Sequence, residues 1–254
     1  MKIDFSGKNV LVTGASRGIG RATAIEFAEC GAHVIVHYKE NETAALKTLS
    51  MLPGEKHFLL KADLSDSFFV EHAVFKALRK AGRIDILVNN AGIFKECDML
   101  TCNFEEWQLH IKETLQTNFV GLANLTYLVG RHMASAGGGK IINVSSRGAF
   151  RGEPHAPAYG ASKAAVNQFN QSLAQLLAPK HVFVYAVAPG FVETEMSTKA
   201  LKGQEGAKIK SQSPLNRVAK PEEVAHAIVL LASDKTEFMT GCILDINGAS
   251  YLRS

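Results

Sequence analysis

Short apolar runs rich in β-branched residues alternate along this chain with longer stretches in which apolar positions recur every three or four residues. The runs at 9–13, 33–38, 57–61, 84–88, 140–145, 181–187 and 242–245 are predicted strands. Several are almost continuously apolar, the pattern of parallel strands covered on both faces. Helical period marks 19–30, 42–52, 67–81, 104–135, 158–177 and 221–231. The stretch 104–135 is expected to be two helices or one bent helix. Pro221, followed by Glu222 and Glu223, reads as a helical first turn, where a missing N–H and negative charge both suit the helix end. Strands and helices alternating from end to end predict βαβ units. The expected fold class is therefore α/β: one doubly wound domain over 1–254, with a mostly parallel seven-stranded sheet and helices on both faces. The irregular stretch, 189–217, has two readings, a solvated loop with short helices or a mobile lid over a substrate site.

Composition narrows the class without changing it. The 254 residues are 46% hydrophobic and 20% charged, as in a globular protein. The 28 Lys and Arg against 24 Asp and Glu leave +4 with no long block of like charge, so no nucleic-acid partner is expected. No apolar run approaches the roughly 18 residues that span a bilayer, so no membrane partner is expected. The opening MKIDFSGKNVLVTG lacks the apolar stretch of a signal peptide, which makes a cytoplasmic location the expectation. Cys30, Cys97, Cys102 and Cys242 form no CxxC pair and have no His at zinc spacing. They are expected to be free thiols, and no metal site is expected.

Candidate chemistry begins at residues 10–20, VLVTGASRGIG, which run from the first strand through a glycine-rich turn into the first helix. Glycine allows the backbone to turn tightly and approach a ligand closely. The helix that follows offers unpaired N–H groups and a positive dipole end to a phosphate. At the other end of the candidate set, YGASK at 159–163 places Tyr159 and Lys163 one helical turn apart on the same face. That spacing suits a phenol and the cation that tunes it, and equally an ordinary wet helix surface.

The spacing Gly14-xxx-Gly18-x-Gly20 after Thr13 resembles the TGxxxGxG turn of the short-chain dehydrogenase/reductase family. The resemblance continues in order through NNAG at 89–92, Asn118, the Ser145-Ser146 pair, YGASK thirteen residues beyond Ser146, APG at 188–190 and Thr194. It covers almost the whole chain and implies a Rossmann fold with a nicotinamide cofactor. By resemblance, Gly14, Ser16, Arg17, Gly18, Ile19 and Gly20 cradle the phosphates. Asp63 and Leu64 meet the adenine, and Asn90, Ala91 and Gly92 line the adenosine ribose. Tyr159, Lys163, Pro189, Gly190, Val192 and Thr194 hold the nicotinamide end.

Cofactor choice turns on the end of the second strand, where an acid binds the ribose hydroxyls of NAD(H) and a cation suits the 2′-phosphate of NADP(H). Tyr38 stands where the acid is expected, followed by Lys39, with Arg17 in the glycine turn. NADP(H) is expected over NAD(H), with Glu40 as a partial counterweight. In the family's chemistry a tyrosine exchanges the proton of the carbonyl or carbinol oxygen. Its ordinary pKa near 10 is too high for neutral pH, and a nearby ammonium favours the phenolate. The implied catalytic set is Asn118, Ser146, Tyr159 and Lys163, with Ser145 the alternative to Ser146. Arg151, Glu153 and His155 are candidate pocket residues. Phe104 and Trp107 are expected in an interface or core, and His33, His37 and His57 in structural roles.

The segment 187–196, VAPGFVETEM, with 213–218, KPEEVA and Thr240-Gly241, looks like bacterial 3-oxoacyl-[acyl-carrier-protein] reductases. That implies an acyl-carrier-protein thioester substrate. Departures are plain: of two basic carrier-docking positions, Lys180 fits one while glycines at 137–139 occupy the other. Tyr185 and the ending Asp245-Ile-Asn-Gly248 also differ from the usual residues. A different small-molecule carbonyl or alcohol substrate (a sugar, polyol, quinone or small ketone) is the second reading, and an NADP(H)-sensing regulator the third. The resemblance implies a homotetramer, or a dimer.

Overall fold

The computed structural model describes residues 3–198 and 200–253. In chain order the elements are β1 (Asn9–Val12), α1 (Gly18–Glu29), β2 (His33–Tyr38), α2 (Glu42–Ser50), β3 (Phe58–Lys61), α3 (Ser67–Ala81), β4 (Ile86–Asn89), α4 (Phe104–Leu115) and α5 (Gly121–Ser135). They continue with β5 (Gly139–Val144), α6 (Gly148–Arg151), α7 (Pro157–Leu177), β6 (Val182–Pro189), α8 (Gly203–Ser211), α9 (Pro221–Ala232) and β7 (Ile243–Ile246). The strands form one sheet in the order β3-β2-β1-β4-β5-β6-β7, every pairing parallel. The chain reverses direction across the sheet between β1 and β4, where Val10 lies beside both Val34 and Ile86. Such a switch point leaves a crevice at the carboxyl ends of the strands, the usual ligand position in an open α/β sheet.

Alternation along each strand sorts the core into two layers. Val10, Val12, Val34, Val36 and Val187 meet Phe27 of α1 and Ile228 of α9 on one face. Leu11, Ile35, Leu87, Ile141 and Val184 meet Val70 of α3, Leu125 of α5 and Ala174 of α7 on the other. Each such fully buried side chain contributes roughly 1.5–3 kcal/mol relative to exposure, before the entropy of ordering it.

Every predicted strand exists, with ends shifted by a residue or two. β6 starts at Val182 because His181 adopts a left-handed backbone, and it runs on to Pro189, which pairs with Ile246. The end of a strand tolerates a proline's missing donor. His57 lies outside β3; its ring Nδ1 accepts the Val34 N–H at 3.0 Å, a structural use. The stretch 104–135 is one bent helical rod: α4 and α5 are joined by a π-helical turn, Gln116–Val120. Asn103 caps its start, with Glu106 returning the hydrogen bond. Residues 189–217 hold α8, and a bridge from Val192 to Ala219 joins the two ends of the excursion. No helix among the described residues is long and apolar enough to cross a membrane.

Candidate active site

The glycine turn is locked from below. Thr13 Oγ1 accepts the N–H groups of Asn90 and Ala91, each at 2.9 Å, and donates to Val88 O. Asn90 Nδ2 donates to Thr13 O at 2.9 Å and Gly14 O at 3.2 Å. Gly14 and Gly18 have φ of +62° and +53°, which glycine adopts without strain. A Cβ on Gly20 would run into Gly14 O and lie 2.6 Å from Asn90 Nδ2. Nothing caps the start of α1: Arg17, at the N-cap, makes no side-chain bond to the helix. The first N–H groups of that helix thus face the crevice, and the close backbone cradle around them fits a dinucleotide pyrophosphate. Ser16 O is held by Arg21, and Ile19 packs on the core.

His37 completes this floor. Its Nδ1 accepts the Gly14 N–H at 3.1 Å, and Nε2 faces Ala62 O at 3.1 Å. That pairing makes Nε2 the protonated nitrogen, and burial pushes the imidazolium pKa down to about 4. The structural role expected for His37 is thus at the phosphate turn itself. A polar side chain in an otherwise apolar strand was its only mark in the sequence.

At the adenosine end, Lys39 Nζ lies 3.0 Å from Asp63 and 3.6 Å from Glu40. Burial pushes the Asp63 carboxyl up, but its bonds to Ser65 and the Lys39 ammonium outweigh that and hold it below the usual carboxylate range. Leu64 is buried, and Gly121 packs so close to its carbonyl that a Cβ there would overlap it. Tyr38 is buried with its hydroxyl on Glu42. Arg17 reaches Glu195 at 3.2 Å, and both are exposed. Thr194 lies beside Gly18, whose Cβ would sit 3.2 Å from Thr194 Cγ2. The segment following β6 therefore touches the glycine turn.

The chemical end gathers four side chains. Ser146 follows β5; its Oγ accepts the Gly148 N–H at 3.0 Å and hydrogen-bonds the Tyr159 phenol. Ser145, the alternative, is buried and spends its hydroxyl on Lys163 O, which leaves Ser146 as the serine on Tyr159. Lys163 is buried, donates to Val144 O at 2.8 Å, and sits 5.7 Å from the Tyr159 ring centre. Asn118, in the π-turn, accepts Ile93 N–H at 2.8 Å and donates to Ile93 O and Ser162 Oγ. A π-turn shifts side chains off the ordinary helical face, a device frequent at functional sites. Gly92 joins the group: a Cβ there would lie 3.3 Å from Asn118 Oδ1 and 3.6 Å from Lys163 Nζ.

The electrostatics differ from the sequence expectation in one respect. Desolvation raises the Tyr159 pKa, the Ser146 hydrogen bond only partly opposing it and Glu153 adding to it. The Lys163 ammonium is itself pushed down to about 8 by burial. With its proton directed at Val144 O, Lys163 sits beside the tyrosine ring rather than on its hydroxyl.

Pro189 closes β6; its carbonyl accepts the Arg147 N–H at 2.8 Å, and Gly190 N–H donates to Ile246 O. Val192 is buried at the bridge to Ala219. Phe94, missed as a candidate, meets the Tyr159 ring edge-on at 5.0 Å. His155 O accepts the Cys97 N–H, and Arg151 donates to Gln212. Phe104 is largely exposed on α4, not in the core. All four cysteines are free, although the Cys97 and Cys102 sulfurs lie 3.3 Å apart. No group of three or more metal-ligating side chains occurs among the described residues.

Comparison with known proteins agrees with this geometry. A family model described as Enoyl-(Acyl carrier protein) reductase matches residues 14–249. The 3-oxoacyl-[acyl-carrier-protein] reductase of Thermotoga maritima is 40% identical over 248 residues, covering 96% of this chain and 98% of the relative. That of Escherichia coli is 37% identical over 251 residues, 98% of this chain and all of the relative. A solved dehydrogenase/reductase from Sinorhizobium meliloti superposes with a TM-score of 0.90 at 28% identity, covering 99% of this chain and 98% of its own. With its switch-point crevice, glycine cradle and Ser-Tyr-Lys cluster, the chain belongs to the short-chain dehydrogenase/reductase family of oxidoreductases.

Proposed function

We propose that this protein is an NADP(H)-dependent reductase of a carbonyl group, with a 3-oxoacyl thioester as its leading substrate. The observation that carries the reading is the hydrogen-bonded Ser146–Tyr159 pair one helical turn from a buried lysine. The cofactor would supply a hydride to the carbonyl carbon. Tyr159 then donates its phenolic proton to the developing alkoxide, and Ser146 hydrogen-bonds the same oxygen and orients the carbonyl. Lys163 and Asn118 stand behind the phenol, the lysine as the cation that favours the phenolate once its proton is given up. Gly14, Ser16, Gly18, Ile19 and Gly20 would hold the pyrophosphate. Asp63, Leu64, Asn90, Ala91 and Gly92 would hold the adenosine half, and Pro189, Gly190, Val192 and Thr194 the nicotinamide half. Arg17, Tyr38 and Lys39 flank the 2′ position.

NADP(H) is favoured because the two cations at that position, Arg17 and Lys39, are both exposed and free to turn to a phosphate. The thioester reading rests on the named relatives. Carrier docking through Lys180 stands apart from it: Lys180 and the glycines at 137–139 lie at the amino ends of β6 and β5, across the sheet from Ser146. Residues 189–217 act as a lid in this reading, hinged where Val192 meets Ala219. We place the protein in a homotetramer, supported by exposed Leu109, Tyr127 and Leu176 on α4, α5 and α7. Mass photometry tests that assembly, and a monomer would exclude it.

The deciding experiment is NADPH oxidation with acetoacetyl thioesters, diketones, aldehydes and sugars, alongside NADPH titration. Turnover of acetoacetyl-coenzyme A above the other carbonyls is expected. NADPH binding without turnover of any carbonyl would favour a cofactor-sensing role instead.

A further inference from the structure

Arg147, the residue after Ser146, is only 3% exposed. Its guanidinium carries five N–H donors, yet only one side-chain hydrogen bond holds it, Nη1 to Ser250 Oγ at 2.5 Å. It stacks over the Phe191 ring at 5.5 Å. Among the described residues no carboxylate lies within ion-pair distance of it. Glu153 is the acid that acts on it from farther away, and Arg151 adds a second positive charge nearby. A charge removed from water without a partner is costly, so an arginine kept in this state needs an occupant to complete it.

The space it faces is a cavity of about 280 Å³ walled by Arg147, Phe191, Ile209 of α8, Ser213, Asn247 and Ser250, with Arg217, Glu223 and Asp245 also on its walls. Its carboxylates are already matched. Glu223 takes both arms of Arg217, at 2.6 and 2.7 Å, and Asp245 takes Arg253 at 2.7 Å. Arg147 is therefore the wall's uncompensated charge. Arg147 and Phe191 directly follow Ser146 and Pro189-Gly190, so the cavity lies beside the reaction centre.

We propose that this cavity is an anion subsite in which Arg147 binds a carboxylate or phosphate carried by the substrate, some atoms away from its carbonyl. Arg147 is then a specificity residue, and the enzyme favours oxo acids over neutral ketones. The inference rests on the carbonyl-reductase reading above and deepens it. A planar guanidinium accepts a carboxylate in two parallel hydrogen bonds, an arrangement a lysine reproduces only in part.

The test uses matched substrates with the full-length protein and NADPH. 4-Oxopentanoate, 5-oxohexanoate and 6-oxoheptanoate are compared with their methyl esters and with the corresponding oxo phosphonates, in wild type, Arg147→Met and Arg147→Lys. For at least one chain length, the wild-type kcat/KM should favour the anion over its ester by tenfold or more, through KM. The ratio should fall to about one in Arg147→Met and recover partly in Arg147→Lys. Carboxylate and phosphonate ratios distinguish the two anions. A wild-type ratio near one at every length, or a ratio untouched in Arg147→Met, overturns the proposal. A packing role alone would move acid and ester together. If no carbonyl is reduced, the reductase reading fails, and thermal-shift titration of the NADPH-bound protein with glutarate and with inorganic phosphate decides the subsite. Stabilisation of wild type but not of Arg147→Met supports it, and equal shifts overturn it.

Discussion

The phosphate end and the chemical end of this crevice are built from different materials. At the phosphate end the ligand-facing groups are backbone amides, and side chains such as Thr13, Asn90 and His37 work from behind to hold them still. At the chemical end the working groups are side chains, and two of them are held against their own chemistry. Burial raises the tyrosine's pKa and lowers the lysine's, when catalysis wants the phenol more acidic and the ammonium charged. One end is rigid and ready; the other carries electrostatic tension that a bound, partly charged substrate and cofactor would relieve. Stability and function are aligned in the glycine turn and opposed around Lys163.

The sharpest break in that contrast is Tyr159→Phe. It should lower kcat by about a thousandfold, in the range of a lost general acid, while NADPH affinity stays within about threefold. Single-turnover kinetics and cofactor titration check the two halves, and near-normal turnover would remove Tyr159 from the mechanism. Next comes the cost of Lys163. Its pKa is 10.5 in the ordinary state and about 8 in the fold, so the folded protein pays for charging it below pH 8 and not above 10.5. Relative to Lys163→Met, wild type should gain stability as pH rises from 8 to 10.5, by on the order of 3 kcal/mol at most. Urea unfolding across that range measures it; a flat difference would mean that the ammonium is well solvated.

At the rigid end, Gly20→Ala inserts a methyl into Gly14 O. Overpacking of this kind costs about 1–3 kcal/mol, so NADPH affinity should fall by roughly 10- to 100-fold. Unchanged affinity would show that the turn is softer than its contacts imply. Lys39→Asp should move the NADPH-to-NADH affinity ratio by about tenfold towards NADH, the size of one exposed charge contact with a phosphate. The smallest effect lies outside both ends. Glu223 is held near pKa 2 by the Arg217 guanidinium and the Lys220 N–H, below its ordinary 4.5. Its contribution is present above pH 4.5 and is lost as pH falls towards 2. Glu223→Gln should therefore cost about 0.5–1 kcal/mol at neutral pH, shrinking in acid.

Legibility in the sequence followed the same division. Strand alternation and the glycine spacing are local patterns, and the switch point, the cradle and the order of the strands follow from them. Asn118 was legible by resemblance, but the π-turn that presents it was not, because a five-residue change in helical pitch leaves no periodicity signal across QTNFV. His37 and Phe94 act through neighbours far away in the chain, Gly14 and Tyr159, and nothing in their local sequence announces those partners. The expectation that Lys163 lowers the Tyr159 pKa depended on where a long side chain points. A one-turn spacing fixes the helix face but not the atom the ammonium chooses.

The Val192–Ala219 bridge has a consequence for how this enzyme could be altered. Because the two ends of the excursion are already joined, changing the length of what lies between them carries only the slow logarithmic cost of loop closure, about 0.6 kcal/mol per doubling. The segment between these ends is thus an interchangeable cartridge, in which substrate range can be rewritten by grafting while the cofactor half of the protein stays untouched.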